Sequence, residues 1–305
     1  MKYLFLPVFI LFAQTVIAQR LDSIPYSQGY LYYHTYGQKG EPVVLLSGGP
    51  GSNCMQEEGV AIALSAKYTC YLLEQRGTGL SQPRVLDSTT ITVKNAEDDI
   101  TLLIRHLHYN QVILYGHSWG GMLGLSYAVH HPNYIKKLVL LGTGEIKYDP
   151  HVLHTISDLM NARLDSAQQV TITAIKAKMA NNTATEQEQY LFKKTVFSMY
   201  INDKSKVDSI YSILSAYKKA DPKMSDLMWD DFERTHFDIT QALKAFNKPL
   251  YILCGREDFF AFLSYELKIA KPSASLHFIE GSGHFPMFEQ PEEFYRVLFE
   301  VMGRG

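Results

Sequence analysis

One six-residue run, Gly116-His117-Ser118-Trp119-Gly120-Gly121, constrains this chain more than any other feature. Ahead of it, Gln111 to Tyr115 reads as a short buried strand. Behind it, Gly120 to His131 is rich in Met, Leu, Ala and Tyr, as a buried helix would be. A chain passing from strand to helix in so few residues turns so tightly that side chains at positions 116 and 120 would collide with neighbouring backbone. The serine at the apex is then held in a strained conformation, its hydroxyl exposed and a helix N-terminus beneath it. A serine so placed is a candidate nucleophile, more than an incidental turn residue.

The surrounding pattern is strand, turn, helix, repeated. Tyr30 to Tyr36 and Pro42 to Leu46 are split by the turn signal Gly37-Gln38-Lys39-Gly40 and read as strands. So do Tyr68 to Glu74, Lys137 to Leu141, Pro249 to Cys254 and Ser275 to Ile279. Ala96, Ile100, Leu103 and Leu107 share one helical face, predicting a helix between Val93 and His108. Ser264 to Ala270 and Pro291 to Met302 predict two more, the last with proline in its first turn. This alternation implies an α/β fold: a mostly parallel central sheet flanked by helices on both faces. From 146 to 244 the rhythm gives way to polar helical segments, notably Thr183 to Met199 and Lys206 to Lys218. The expected organisation is a core of residues 19–145 and 245–305 with a helical cap inserted at 146–244.

Composition narrows the function classes. A chain of 305 residues, 46% hydrophobic, can bury one or two full cores, which excludes a disordered or fibrous protein. A formal charge of −2 lacks the basic excess of a nucleic-acid binder, so no nucleic-acid partner is expected. Met1 and Lys2 precede an uncharged stretch, almost wholly apolar from Leu4 to Ala13, and small residues follow at Val16 and Ala18. This reads as a signal peptide over residues 1–18, with Gln19 as the new N-terminus and a periplasmic or extracellular destination. The run is too short, and too broken by Gln14 and Thr15, for a membrane anchor, so no stable membrane association is expected after cleavage. Of the three cysteines, Cys70 and Cys254 lie in apolar runs and read as buried, whereas Cys54 falls in a glycine-rich loop where partial exposure is expected. No structural disulfide is expected.

A serine hydroxyl needs a base, and the base needs an orienting acid. In sheets of this class the three follow in the order serine, acid, histidine. Asp258 lies just past the strand ending at Cys254, and His284 just past the strand ending at Ile279. Both leave the C-terminal ends of strands, the edge on which open α/β sheets carry their sites. Glu257 competes for the acid role, and Asp258 fits the spacing better. The predicted triad is Ser118, Asp258 and His284. A tetrahedral intermediate also needs preorganised donors. Ser47-Gly48-Gly49-Pro50-Gly51 follows the strand ending at Leu46, so the N–H of Gly49, with that of Trp119, is the candidate oxyanion hole; Pro50 has no N–H to offer.

Taken together, these residues resemble the α/β-hydrolase superfamily and, within it, the proline iminopeptidase-like serine peptidases. The resemblance rests on Ser47 to Gly51, on Glu74-Gln75-Arg76-Gly77-Thr78-Gly79-Leu80-Ser81, on the Ser118 turn and on the Asp258 and His284 loops. It spans roughly residues 27 to 145 and 245 to 304 and does not extend through the cap. It implies a capped core sheet, no metal or organic cofactor, and removal of N-terminal residues, often proline, from short peptides. The family usually carries histidine where this chain has Ser47 and aspartate where it has Glu74. Its aminopeptidases bind the substrate amine with acidic cap residues. Here Glu186, Glu188, Asp230, Asp231 and Glu233 are available, with Glu233 and Glu186 carried forward as substrate-binding candidates. The expected partner is a small-molecule or short-peptide substrate. The alternatives are a carboxylesterase of small esters and, last, a non-catalytic binding protein on the same fold. An epoxide hydrolase or dehalogenase would need a carboxylate in place of Ser118.

Overall fold

The computed structural model describes residues 19–217 and 222–304; the leader read at residues 1–18 lies outside them, as does Lys218 at the end of one expected helix. The strands are β1 (Arg20–Tyr26), β2 (Gly29–Tyr36), β3 (Pro42–Leu46), β4 (Thr69–Leu73), β5 (Val112–His117), β6 (Ile135–Leu141), β7 (Leu250–Gly255) and β8 (Ser275–Ile279). They form one sheet in the order β1-β2-β4-β3-β5-β6-β7-β8. β2 pairs antiparallel with both β1 and β4. From β4 to β8 every pairing is parallel.

The strand residues of β4, β5 and β7 are all buried, which explains their unbroken apolar character: helices cover both faces of the sheet, so neither face selects polar residues. Alternation survives as a choice of core. Val44 and Leu46 of β3 join one hydrophobic cluster, Val43 and Leu45 the other. The first cluster takes in α2 (Val93–His106) and α3 (Trp119–His130) through Ile100, Leu103 and Leu123. The second takes in α1 (Glu58–Leu64) and the C-terminal helix Pro291–Gly303 through Leu64, Phe294 and Leu298. α2 begins where the Thr92 side chain accepts the Asn95 N–H, a cap that fixes its first turn.

Between β6 and β7 lie α4 (Pro150–Asn161), α5 (Ser166–Ala180), α6 (Glu186–Ser198), α7 (Val207–Ser215), α8 (Pro222–Thr235) and α9 (Thr240–Ala245). α10 (Ala261–Ala270), α11 (Pro286–Glu289) and α12 (Pro291–Gly303) complete the chain. α8 enters the first core through Met224, Met228 and Phe232, whereas α4 buries none of its residues and α5 only Ile175. Cys54 is a correction: the turn beginning there packs against the second core and leaves the thiol 1% exposed. All three cysteines are free and buried.

Candidate active site

Ser118 caps the N-terminus of α3 with φ 55° and ψ −120°, a conformation a non-glycine residue adopts only when its surroundings impose it. Its N–H donates to the Leu141 carbonyl at 2.8 Å, tying the turn to β6. The flanking glycines are required by space: a Cβ on Gly116 would lie 2.2 Å from the Gly120 oxygen, and one on Gly120 would lie 2.3 Å from the Leu46 oxygen. The strand, the turn and the helix can therefore meet only if both positions lack side chains.

Asp258 and His284 come together beside it. His284 Nδ1 lies 2.7 Å from Asp258 Oδ2, and both side chains are almost wholly buried. The second Asp258 oxygen accepts the Phe260 N–H at 3.0 Å, which fixes the carboxylate. Glu257, the rival acid, instead accepts the Ser282 N–H at 2.9 Å. Burial pushes the His284 pKa below the ordinary histidine value, more than Asp258 raises it. The imidazole is thus neutral at neutral pH, the form a base must have. Gly142, at the end of β6, packs against this pair: a Cβ there would lie 3.1 Å from both Asp258 Oδ2 and His284 Nδ1.

Ser118 and His284 line one cavity of about 250 Å³. Its floor holds Gly48 and Gly49, and its apolar wall comes from Val196, Phe197 and Leu214 of α6 and α7 with Phe285. No hydrogen bond joins Ser118 to His284 among the described residues; in unliganded sites this contact is often long and closes when substrate binds. Gly48 is the close neighbour of the serine, with room for no more than 3.2 Å between an added Cβ and Ser118 Cβ. Gly49, at φ 122°, curls the loop so tightly that a Cβ would lie 2.4 Å from the Gly51 nitrogen. Trp119 is the first residue of α3, so its main chain stands beside the serine as expected.

Several positioning groups escaped sequence reasoning. Gln75 donates to the Ser47 carbonyl at 2.8 Å and accepts the Trp119 indole N–H at 2.8 Å, joining the Gly49 loop to the serine turn. Its place in the Glu74 to Ser81 block was the available signal. Arg76 in the same block pairs with buried Asp99 of α2, and Glu74 pairs with His34 at 2.8 Å. The His284 N–H donates to the Tyr200 carbonyl at 2.8 Å. Buried Glu289 accepts the N–H groups of Gly283, Asn202 and Asp203, so the segment after α6 is bound to the histidine loop. No residue pattern announces these long-range backbone contacts.

The two acidic candidates lie outside the cavity lining. Glu186 is exposed at the start of α6, and Glu233 is exposed in an open cleft with Asp230, Asp231 and Arg234; neither lines the Ser118 cavity. Glu233 stands opposite the α8 face that buries Met224, Met228 and Phe232, whereas Glu186 lies at the exposed start of α6, about two turns before Lys193. Among the described residues, Lys193 is the one lysine, arginine or carboxylate side chain lining the cavity. A different carboxyl, Glu145, lies three residues beyond Gly142, 4% exposed and with no hydrogen-bond partner for either oxygen. Burial, with Glu266 and Asp149 nearby, raises its pKa to about 7. As for metals, His34, Cys54 and Glu74 bring donor atoms within 4.8 Å of one another, but His34 and Glu74 already satisfy each other and burial keeps the thiol protonated. No helix among the described residues is long and apolar enough to cross a membrane.

Residues 41–291 match the family model described as alpha/beta hydrolase fold. The chain belongs to the alpha/beta hydrolase fold family. Proline iminopeptidase from Heyndrickxia coagulans is 26% identical over 272 residues, covering 86% of this chain and 91% of the relative. Among solved structures, proline iminopeptidase from Mycobacterium smegmatis superposes with a TM-score of 0.67 at 18% identity, over 93% of this chain and 97% of that one. A structure reported for carboxylesterases of Nitrososphaera gargenis superposes with a TM-score of 0.66 at 19% identity, over 93% and 97%. The chain is thus a hydrolase of the alpha/beta fold that is similar in sequence to a proline iminopeptidase, and the structural likeness to both enzyme types is one of fold.

Proposed function

We propose that this chain is an exported serine hydrolase that works through an acyl-enzyme on Ser118. The observation that carries the reading is the 2.7 Å bond between Asp258 and His284 beside the cavity that Ser118 lines. In the reaction, His284 Nε2 takes the Ser118 proton as Oγ attacks the substrate carbonyl. The N–H groups of Gly49 and Trp119 hold the resulting oxyanion. His284 returns the proton to the departing alcohol or amine, and a water molecule, deprotonated by the same imidazole, releases the acid. Asp258 keeps the imidazole in the tautomer with hydrogen on Nδ1.

The cavity lining favours small carboxylic esters. Its wall is part apolar (Val196, Phe197, Leu214, Phe285) and part polar (Ser52, Gln56, Ser215), and a protonated amine would meet no carboxylate among the described lining residues. A second reading, release of N-terminal residues from short peptides, is favoured by the alignment along nearly all of the Heyndrickxia coagulans proline iminopeptidase; it needs a carboxylate for the amine, and buried Glu145, outside the cavity lining, is the candidate to test. One panel separates them: hydrolysis of nitrophenyl acetate against proline arylamide by the wild type, Ser118→Ala and Glu145→Gln. Ser118→Ala should lose at least about 10³-fold in turnover on either substrate while folding normally. The ester reading expects the acetate to dominate and Glu145→Gln to change little. Dominant arylamide cleavage that Glu145→Gln weakens about tenfold or more would select the peptidase. Full activity of Ser118→Ala would remove both.

Export rests on the Met1 to Ala18 pattern. β1 begins at Arg20, so cleavage after Ala18 would take nothing from the sheet.

A further inference from the structure

The residue before the nucleophile is a buried histidine that the triad does not use. His117 ends β5, its ring centroid 4.9 Å from that of His284. Its Nε2 lies 3.0 Å from the main-chain oxygen of His284. A peptide oxygen only accepts, so Nε2 carries a hydrogen and donates it. On the other side, Nδ1 lies 2.8 Å from Glu57 Oε1. A bare ring nitrogen and a bare carboxylate oxygen would repel at that distance, so a second proton lies between them. The pair therefore holds one proton more than a neutral imidazole beside a carboxylate. Both side chains are 1% exposed, and Tyr115 donates to the other Glu57 oxygen at 3.3 Å.

We propose that Glu57 and His117 form a positioning unit for His284: sharing one proton, they hold the His284 main chain from below so that its imidazole faces Ser118. This rests on the reading of His284 as the base. The His284 main chain is then gripped at both ends, its carbonyl by His117 and its N–H by the Tyr200 carbonyl. Two tight turns in different parts of the chain, the serine turn and the histidine loop, are thereby fixed to one another by a buried bond. The shared proton also sets a positive imidazolium beside His284, balanced by Glu57 behind it. The other titratable groups nearby are Asp258, which faces His284 from its far side, and Tyr115, Tyr200, Tyr295, Cys54 and Cys254. Burial raises the pKa of all five of those hydroxyls and thiols, so they stay uncharged through the pH range of interest.

The test compares Glu57→Gln, His117→Asn and His284→Gln with the wild type on whichever panel substrate turns over. Kcat, KM and the pH profile of kcat/KM are read, with thermal unfolding to show which variants fold. Glu57→Gln keeps the shape and can still hydrogen-bond Nδ1, but removes the shared proton. Its kcat should fall about tenfold with KM within about twofold, and the acid limb of its profile should move to higher pH as the neighbouring positive charge is lost. His117→Asn, if folded, should lose kcat by at least as much. A folded Glu57→Gln whose kcat and acid limb both match the wild type overturns the positioning unit. If His284→Gln is inactive in that case, the base assignment stands alone; if His284→Gln stays active, the base assignment falls and takes the unit with it.

Discussion

Two residues of opposite character decide the chemistry at the smallest scale. Ser118 is strained and partly accessible, whereas His284 is buried and relaxed, held by main-chain bonds on either side. Burial of His284 favours its neutral form, and Asp258 opposes that shift without cancelling it. A base must be neutral to accept a proton, so activity is lost as pH falls through the His284 pKa. The acid limb of kcat/KM should therefore centre below 6.5, the ordinary histidine value, and a limb above 6.5 would contradict the burial argument. The placing of Ser118, Asp258 and His284 at one sheet edge was legible because each follows a strand closely and nearby glycines announce a tight turn. His117 was equally visible but carries no pattern that separates a buried, bonded histidine from a turn residue. The positions of Glu186 and Glu233 were not legible for a related reason: an acidic residue on a helix does not declare which way the helix faces, and both are exposed outside the cavity lining.

At the scale of elements, one buried carboxylate helps to join the segment after α6 to the His284 loop. Glu289, at the end of α11, reaches Gly283 on one side and the segment after α6 on the other. Glu289→Ala leaves three N–H groups, the buried one of Gly283 and the partly buried ones of Asn202 and Asp203, without that acceptor. It should cost about 2–4 kcal/mol of stability, measured by denaturant unfolding, and lower kcat more than it raises KM, because the His284 loop loosens. Stability and kcat unchanged from wild type would show that other contacts hold the loop. Legibility varied by element for physical reasons. The inner strands were plain because burial on both faces left unbroken apolar runs. β1 went unread because it is an edge strand with only Ile24 buried, so its alternation is faint. α4 and α5 bury almost nothing, and an apolar stripe is the signal by which such helices are recognised.

At the scale of the whole molecule, a rigid parallel sheet presents three loops at one edge, and helices α6 and α7 close over them. The sheet fixes the reaction; the cap residues Lys193, Val196, Phe197 and Leu214 shape what reaches it. If residues 1–18 direct export, the intact mass of protein recovered outside the cytoplasm should correspond to a chain beginning at Gln19, and an uncleaved mass would contradict this. The central proposal is that Ser118 is the reactive nucleophile. That is tested most directly by a fluorophosphonate probe, whose phosphorus an activated serine oxygen attacks with loss of fluoride. Peptide mapping after labelling should find a single adduct on Ser118, absent from Ser118→Ala and strongly slowed in His284→Gln. No adduct on Ser118 in folded wild-type protein, or equal labelling of His284→Gln, would contradict the account.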